Sequence, residues 1–253
     1  IDSSHDTTSI AQTRFRVASD AVRIDAVEQL LWHYRPTSAL VFCNTRHETD
    51  TVGTALMERG FAAAALHGDL EQRDREEILI RFSNQSISVL VASDVAARGL
   101  DIDAIDAVIN YQIARELNVH VHRVGRTGRA DGHGIACTLF TDKEQHKIAR
   151  LEEYLGYDIA IESLPAPSPA SSRPYKPPMV SLQIDGGRKQ KLRPGDIVGA
   201  LTAEGGIDAD QIGKILTQDQ CAYVAVKREV ANEALQILTD GKLKGRRFRI
   251  RRL

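Results

Sequence analysis

Apolar residues in the first two thirds of the chain follow two rhythms. Short runs at 39–43, 62–66, 88–92, 107–111 and 135–140 are almost free of polar groups and predict strands buried on both faces. Longer stretches at 21–34, 46–59, 72–82 and 143–155 bring apolar residues back at helical spacing and predict helices that bury one stripe. Their alternation predicts an α/β sandwich on a mostly parallel sheet. Three strands run straight into small polar or charged residues: Asn44-Thr45-Arg46, His67-Gly68-Asp69 and Ser93-Asp94. Open parallel sheets bind ligands beyond the carboxyl ends of their strands, so function is expected at these turns.

The rhythm stops at Leu164. Residues 165–178 read PAPSPASSRPYKPP, too rich in Pro and Ser to join a helix or a sheet, and predict a linker. Beyond it, Val180, Leu182 and Ile184 alternate with polar residues, and a helix is expected over 194–201 from the proline at its first turn. Strands at 214–217, 222–227 and 247–251 and a helix at 230–238 complete a β-α-β-β-α-β order, the split ferredoxin-like arrangement. The expected domains are therefore 1–164 and 179–253.

Charge changes meaning once it is divided at the linker. The 33 Lys and Arg nearly balance 34 Asp and Glu, and a net charge of -1 taken whole is not the footprint of a nucleic-acid binder. Residues 1–164, however, carry 17 basic against 25 acidic side chains, while residues 179–253 carry 14 against 9. The tail is a basic domain. A content of 42% hydrophobic and 26% charged residues is that of an ordinary globular protein, and no apolar run approaches the roughly 18 residues of a membrane span. Cys43, Cys137 and Cys221 form no CxxC pair, which argues against a disulfide framework and for a reducing, cytoplasmic setting. A start at Ile1 and the lack of a signal-peptide pattern suggest a piece of a longer polypeptide.

The densest chemistry is His122-Arg123-Val124-Gly125-Arg126-Thr127-Gly128-Arg129. Guanidinium groups keep their charge and have no obvious use in a core, whereas glycines let a backbone approach closely; together they suit a grip on phosphate. Arg126 and Arg129, three apart, would point the same way on a helical turn. A solvated basic turn is the plainer alternative. Gly68 and Gly99 could simply serve turns, Asp94 could simply cap a helix, and Trp32 fits a core stripe. His120 and His122 form an HxH pair that no further ligand completes, so no metal site is expected. No P-loop occurs: the nearest stretch, 206–214, has the wrong glycine spacing, and no Asp-Glu-Ala-Asp run is present.

HRVGRTGR resembles the HRxGRxxR motif of the second RecA-like domain of DEAD-box RNA helicases. LVFCNT at 40–45, HGDLEQRDR at 67–75 and VLVASDVAARGLDI at 89–102 are similar to other motifs of that domain, in the same order. The resemblance implies a RecA-like parallel-sheet sandwich in which Arg126 and Arg129 reach the ATP γ-phosphate. Asp101, beside Gly99, would hold the ribose, and His122 and Arg123 would couple to the partner RecA-like domain. Thr45, Arg46, Gly68, Gln72, Arg75, Ser93, Asp94 and Arg98 would line an RNA track; the family usually has Thr where Ser93 stands. The P-loop and the residues that hold Mg2+ belong to the family's N-terminal RecA-like domain. The chain is thus expected to be the C-terminal portion of an ATP-dependent helicase and not to hydrolyse ATP alone.

In the tail, Ser181, Gln183 and Asp185 are expected to face outward, with Tyr223 the one aromatic near a base-stacking position. Positive charge is plentiful instead. Arg188, Lys189, Lys191 and Arg193 cluster before the first helix, Lys214 lies on the second strand, and Arg247, Arg249 and Arg251 share one face of the last. QIDGGRKQKLRPGDIVGAL, GKI and YVAVKREVA resemble the RNA-binding domain of the DbpA subfamily of DEAD-box proteins, an RRM-like fold. That resemblance implies recognition of a 23S rRNA hairpin, unwinding of an adjacent duplex, and work on a pre-50S particle as a monomer. An RNA-binding adaptor that never cycles ATP is the alternative from another class, and a DNA helicase fits the motif spellings less well.

Overall fold

A computed structural model describes residues 10–98, 100, 105–128, 134–167 and 174–253. The chain divides into two compact units, residues 1–75 with 88–176 and residues 76–87 with 177–253.

The first unit is built on strands β1 (Ile10–Arg16), β2 (Ala39–Cys43), β3 (Ala63–Leu66), β4 (Val89–Ser93), β5 (Ala107–Asn110), β6 (Gly134–Phe140) and β7 (Ala160–Glu162). They form one sheet in the order β3-β4-β2-β5-β6-β1-β7, parallel at every pairing. Helices α1 (Arg23–Tyr34), α2 (Arg46–Glu58), α3 (Gln72–Ser83), α4 (Asp94–Ala97), α5 (Leu117–Val124) and α6 (Gln145–Leu155) alternate with the strands in the chain, and α3 from residue 76 onward clusters with the second unit. Every residue of β2, β4 and β5 is buried, as the nearly apolar strands of a parallel sheet should be. Leu30 and Leu31 of α1 and Val52 and Leu56 of α2 close over Val41, Val91 and Ile109.

The polar residues that end the central strands start the next helices. Thr45 Oγ1 accepts a bond from the Glu48 amide at 3.2 Å and opens α2, and Ser93 Oγ accepts from the Ala96 amide at 3.4 Å and opens α4. The same side chains are thereby held at the carboxyl edge of the sheet.

Four elements of this unit escaped the apolar rhythm, among them the single turn of α4. β1 mixes apolar and polar residues without regular alternation and buries only Phe15, yet it sits inside the sheet between β6 and β7. β7 is three residues long and wholly exposed. α5 buries His120 and Arg123, so its inward stripe reads as polar.

The second unit has a four-stranded antiparallel sheet of β8 (Met179–Ile184), β9 (Ile212–Thr217), β10 (Ala222–Lys227) and β11 (Ile250–Arg252) in the order β11-β8-β10-β9. Helices α7 (Pro194–Leu201) and α8 (Ala231–Asp240) complete the predicted β-α-β-β-α-β order. Leu182, Ile184, Val224 and Val226 meet Ile197, Leu201, Ala234 and Leu238 in its core. The last strand starts at Ile250 rather than 247, because only there does the chain come into register with Ile184; Phe248 before it packs into the core. The other face departs from expectation. Ser181 and Gln183 point away from the helices but are buried: Ser181 Oγ lies 2.7 Å from Ser86 Oγ and 3.1 Å from Asn84 Nδ2, and Gln183 accepts a bond from Arg251 at 2.7 Å. Asp185 is exposed, as expected.

Among the described residues no helix is long and apolar enough to cross a membrane. All three cysteines are free thiols, and burial pushes the thiols of Cys43 and Cys137 up, the latter to about 12.

Candidate functional site

Arg123 organises the carboxyl edge of the first unit. It is 1% exposed and stands near the end of α5. Its Nε and Nη2 donate to Asp94 at 2.6 and 2.8 Å, and Nη2 also to Asn44 Oδ1 at 2.7 Å. Its Nη1 donates to the Gln112 carbonyl at 2.9 Å and to Asn110 Oδ1 at 3.4 Å. The guanidinium lies 5.1 Å over the Phe42 ring. One buried cation thus ties the ends of β4, β2 and β5 together, with its charge balanced by Asp94 and its remaining donors satisfied.

Beside it opens a cavity of about 240 Å3 whose polar lining is Asp94, Arg98, His122, Arg123 and Arg126, over a floor that includes Phe42, Ala97 and Val119. Five residues singled out in the sequence as phosphate, RNA or coupling residues therefore meet in one place. Arg126 does not stand on a helix: α5 closes at Val124, and Arg126 lies in the turn behind it, its Nη1 donating to the Leu100 carbonyl at 3.0 Å. Thr127 fixes that turn to the sheet through its hydroxyl, which donates to the Asp106 carbonyl at 3.2 Å. Gly134 lets the turn come close, since a Cβ there would sit 2.6 Å from the Gly128 amide nitrogen. Gly99, Asp101 and Arg129, expected at the nucleotide, lie outside the described residues.

The residues expected along an RNA track stand at neighbouring strand ends. Thr45 and Ser93 are the caps described above, and Arg46 is exposed and paired with Asp69. Gly68 has open space where a side chain would be. Gln72 begins α3, and Arg75 one turn later donates to the Ala96 carbonyl at 2.8 Å. Such a row of hydroxyls, open backbone and guanidinium groups suits phosphate oxygens. Asn110 and Phe42 were not anticipated: Asn110 interrupts an apolar run and Phe42 lies inside one, and nothing local marks either as Arg123's partner.

In the second unit most of the cations singled out in the sequence remain in water. Arg188 is exposed and bridges to exposed Asp219 at 2.9 Å, Lys189, Lys191 and Arg193 are exposed before α7, and so are Arg247 and Arg249. Arg251 is drawn back onto Gln183 and lies 3.9 Å from Asp185. Lys214 Nζ donates to Ser83 Oγ at 3.1 Å. Tyr223 is 6% exposed and its hydroxyl accepts from the Cys221 thiol at 3.6 Å, so its ring is packed rather than open for stacking.

Comparison with known proteins matches both units. Residues 22–131 fit the helicase conserved C-terminal domain family, and residues 181–252 fit the DbpA RNA binding domain family. The ATP-dependent RNA helicase DbpA of Escherichia coli (strain K12) is 43% identical over 242 residues, covering 96% of this chain and 52% of that protein. Its namesake in Bacillus subtilis (strain 168) is 30% identical over 250 residues, covering 90% and 52%. The chain spans about half the length of these curated relatives. Among solved structures, the Escherichia coli DEAD-box protein SrmB, bound to regulator of ribonuclease activity A, superposes with a TM-score of 0.59 at 28% identity, over 66% of this chain and 98% of that one. A DEAD box protein from Methanococcus jannaschii gives 0.57 at 34% identity, over 62% and 42%. With a helicase C-terminal unit followed by this particular RNA-binding domain, the chain belongs to the DbpA subfamily of DEAD-box RNA helicases.

Proposed function

We propose that the chain supplies the C-terminal RecA-like half and the RNA-tethering domain of an ATP-dependent RNA helicase. In this reading the cavity beside Arg123 faces the partner RecA-like domain. Arg126 and Arg129 meet the γ-phosphate of ATP, Asp101 holds the ribose, and the Mg2+ is held by the N-terminal domain. The tail grips a 23S rRNA hairpin through its basic surface while the core unwinds nearby duplex on a pre-50S particle in the cytoplasm, working as a monomer. Residues 165–178 serve as the linker between domains 1–164 and 179–253. Alone, the chain does not turn over ATP.

The observation that carries the reading is the meeting of Arg126, His122 and Arg98 around Asp94 in one cavity, at the edge where the phosphate-suited turns also end. Charge that spreads over the oxygens of a transferred phosphoryl group is stabilised by arginines brought from a second domain. In the full-length parent, Arg126→Ala and Arg129→Ala should each lower RNA-stimulated ATP turnover by a factor on the order of a thousand while RNA binding persists. Normal turnover in both variants would exclude the assignment. A full-length protein that binds RNA but never turns over ATP would be an adaptor instead.

A further inference from the structure

A second cavity of about 310 Å3 opens at the carboxyl edge of the first unit, within the range of roughly 300–1,000 Å3 that bound small groups occupy. Its floor is Ile113 and Leu117, from the stretch that follows β5, and Asn44 is part of its wall. Arg115 enters from that same stretch, and His146 and Arg150, four residues apart on one face of α6, enter from another. All three are exposed, and among the described residues none makes a side-chain hydrogen bond or ion pair. Of the acidic groups nearest in sequence, Glu144 pairs with Arg23 and Lys147 and Glu152 with Arg14, while Glu116 and Glu153 are exposed and do not line the cavity. The site is therefore cationic around an apolar floor, without internal counter-charge.

We propose that this cavity binds one further nucleotide of single-stranded RNA, its base resting on Ile113 and Leu117 and its flanking phosphates drawn to Arg115 and Arg150, with His146 as an additional donor. The proposal rests on the reading of the adjoining turns as an RNA track and lengthens that track past the family motifs. Continuity favours RNA over an acidic protein. Asn44, in the cavity wall, immediately precedes Thr45 and Arg46, so a strand leaving those residues meets the cavity next. An apolar floor with guanidinium planes suits unstacked bases in a sequence-tolerant way.

The test is the affinity of the full chain for oligouridines of graded length, at several salt concentrations. Arg115→Gln/Arg150→Gln and Arg115→Glu/Arg150→Glu are compared with the wild type; both positions are exposed, and equal melting temperatures verify the fold. The wild type should gain affinity stepwise once the strand is long enough to reach the cavity. Both double variants should lose that step, and their slope of log affinity against log salt should fall by about 0.7 for each phosphate no longer neutralised. An unchanged step and slope in both variants, with the wild type binding normally, overturns the site and leaves the RNA track standing, whether or not an acidic protein proves to occupy the cavity. Failure of the wild type to bind any oligomer overturns the track itself, and the site with it.

Discussion

Arg123 and Arg188 are both arginines paired with an aspartate, and they represent two ways of using positive charge. Arg123 is buried, with donors spent on Asp94, Asn44, Asn110 and the Gln112 carbonyl. The side chain of Arg188 is 68% exposed and that of its partner Asp219 63%. In the first unit charge fixes geometry: it sets where three strand ends lie, and so where Arg126 and the phosphate-suited turns stand. In the second unit most of the charge, Arg188 and its neighbours before α7 included, remains in solvent, free to attract an anionic partner from a distance and to adapt to it. A count of basic residues treats the two alike, and burial separates them.

The sharpest way to break this contrast is Arg123→Ala. It leaves Asp94 without its buried partner and three strand ends untied, and should cost about 3–5 kcal/mol of stability in denaturant unfolding. A cost below about 1 kcal/mol would mean that the network does not hold the edge together. Arg123→Lys should restore only part of the loss, because an ammonium cannot span Asp94 and Asn44 with a planar fork.

Next in size is a pH effect on the neighbouring His120. Burial, helped by the charge of Arg123, pushes its pKa down to about 4, and its Nδ1 has no partner. Above the unfolded value of about 6.5 the ring is neutral in both states and adds no pH dependence. Between about 6.5 and 4 the unfolded chain takes up the proton first, so stability should fall as pH falls, by up to about 3 kcal/mol. Denaturation midpoints across this range should show the slope, and His120→Asn should flatten it. Equal slopes in the two proteins would show that the ring is not held neutral.

The smallest stability effect belongs to the tail. Arg188→Ala should move stability by less than about 1 kcal/mol, since exposed pairs contribute little. The same change should lower the salt slope of RNA binding by about 0.7 to 0.9, the value for one neutralised phosphate. A stability loss comparable to that of Arg123→Ala would erase the distinction between the two regions.

Much of this was legible along the chain. The five strands with nearly apolar runs and the four helices with clear stripes lie within a few residues of their predicted positions, because each buries a mostly continuous local pattern. α5 was hidden because its inward face carries His120 and Arg123, which local pattern assigns to the surface. Short β7 and half-polar β1 depend on distant pairing with one another and with β6. The site was legible in its residues but not in its connections. His122, Arg123 and Arg126 stand out as a motif, whereas the links from Arg123 to Asp94, Asn44 and Asn110 span 29, 79 and 13 residues of chain.

By itself the sequence determined the alternation of strand and helix, the basic tail, and the motifs that mark a helicase C-terminal unit, because all of these are local in composition or spacing. Only the tertiary structure decided which charges are structural and which are free. It buried Ser181, Gln183 and Tyr223, which strand alternation had placed outward, and it gathered Arg115, His146 and Arg150 around a common cavity. The reason is physical: the free energy of a charge or a polar group depends on what surrounds it, and its surroundings come from residues far away in the chain.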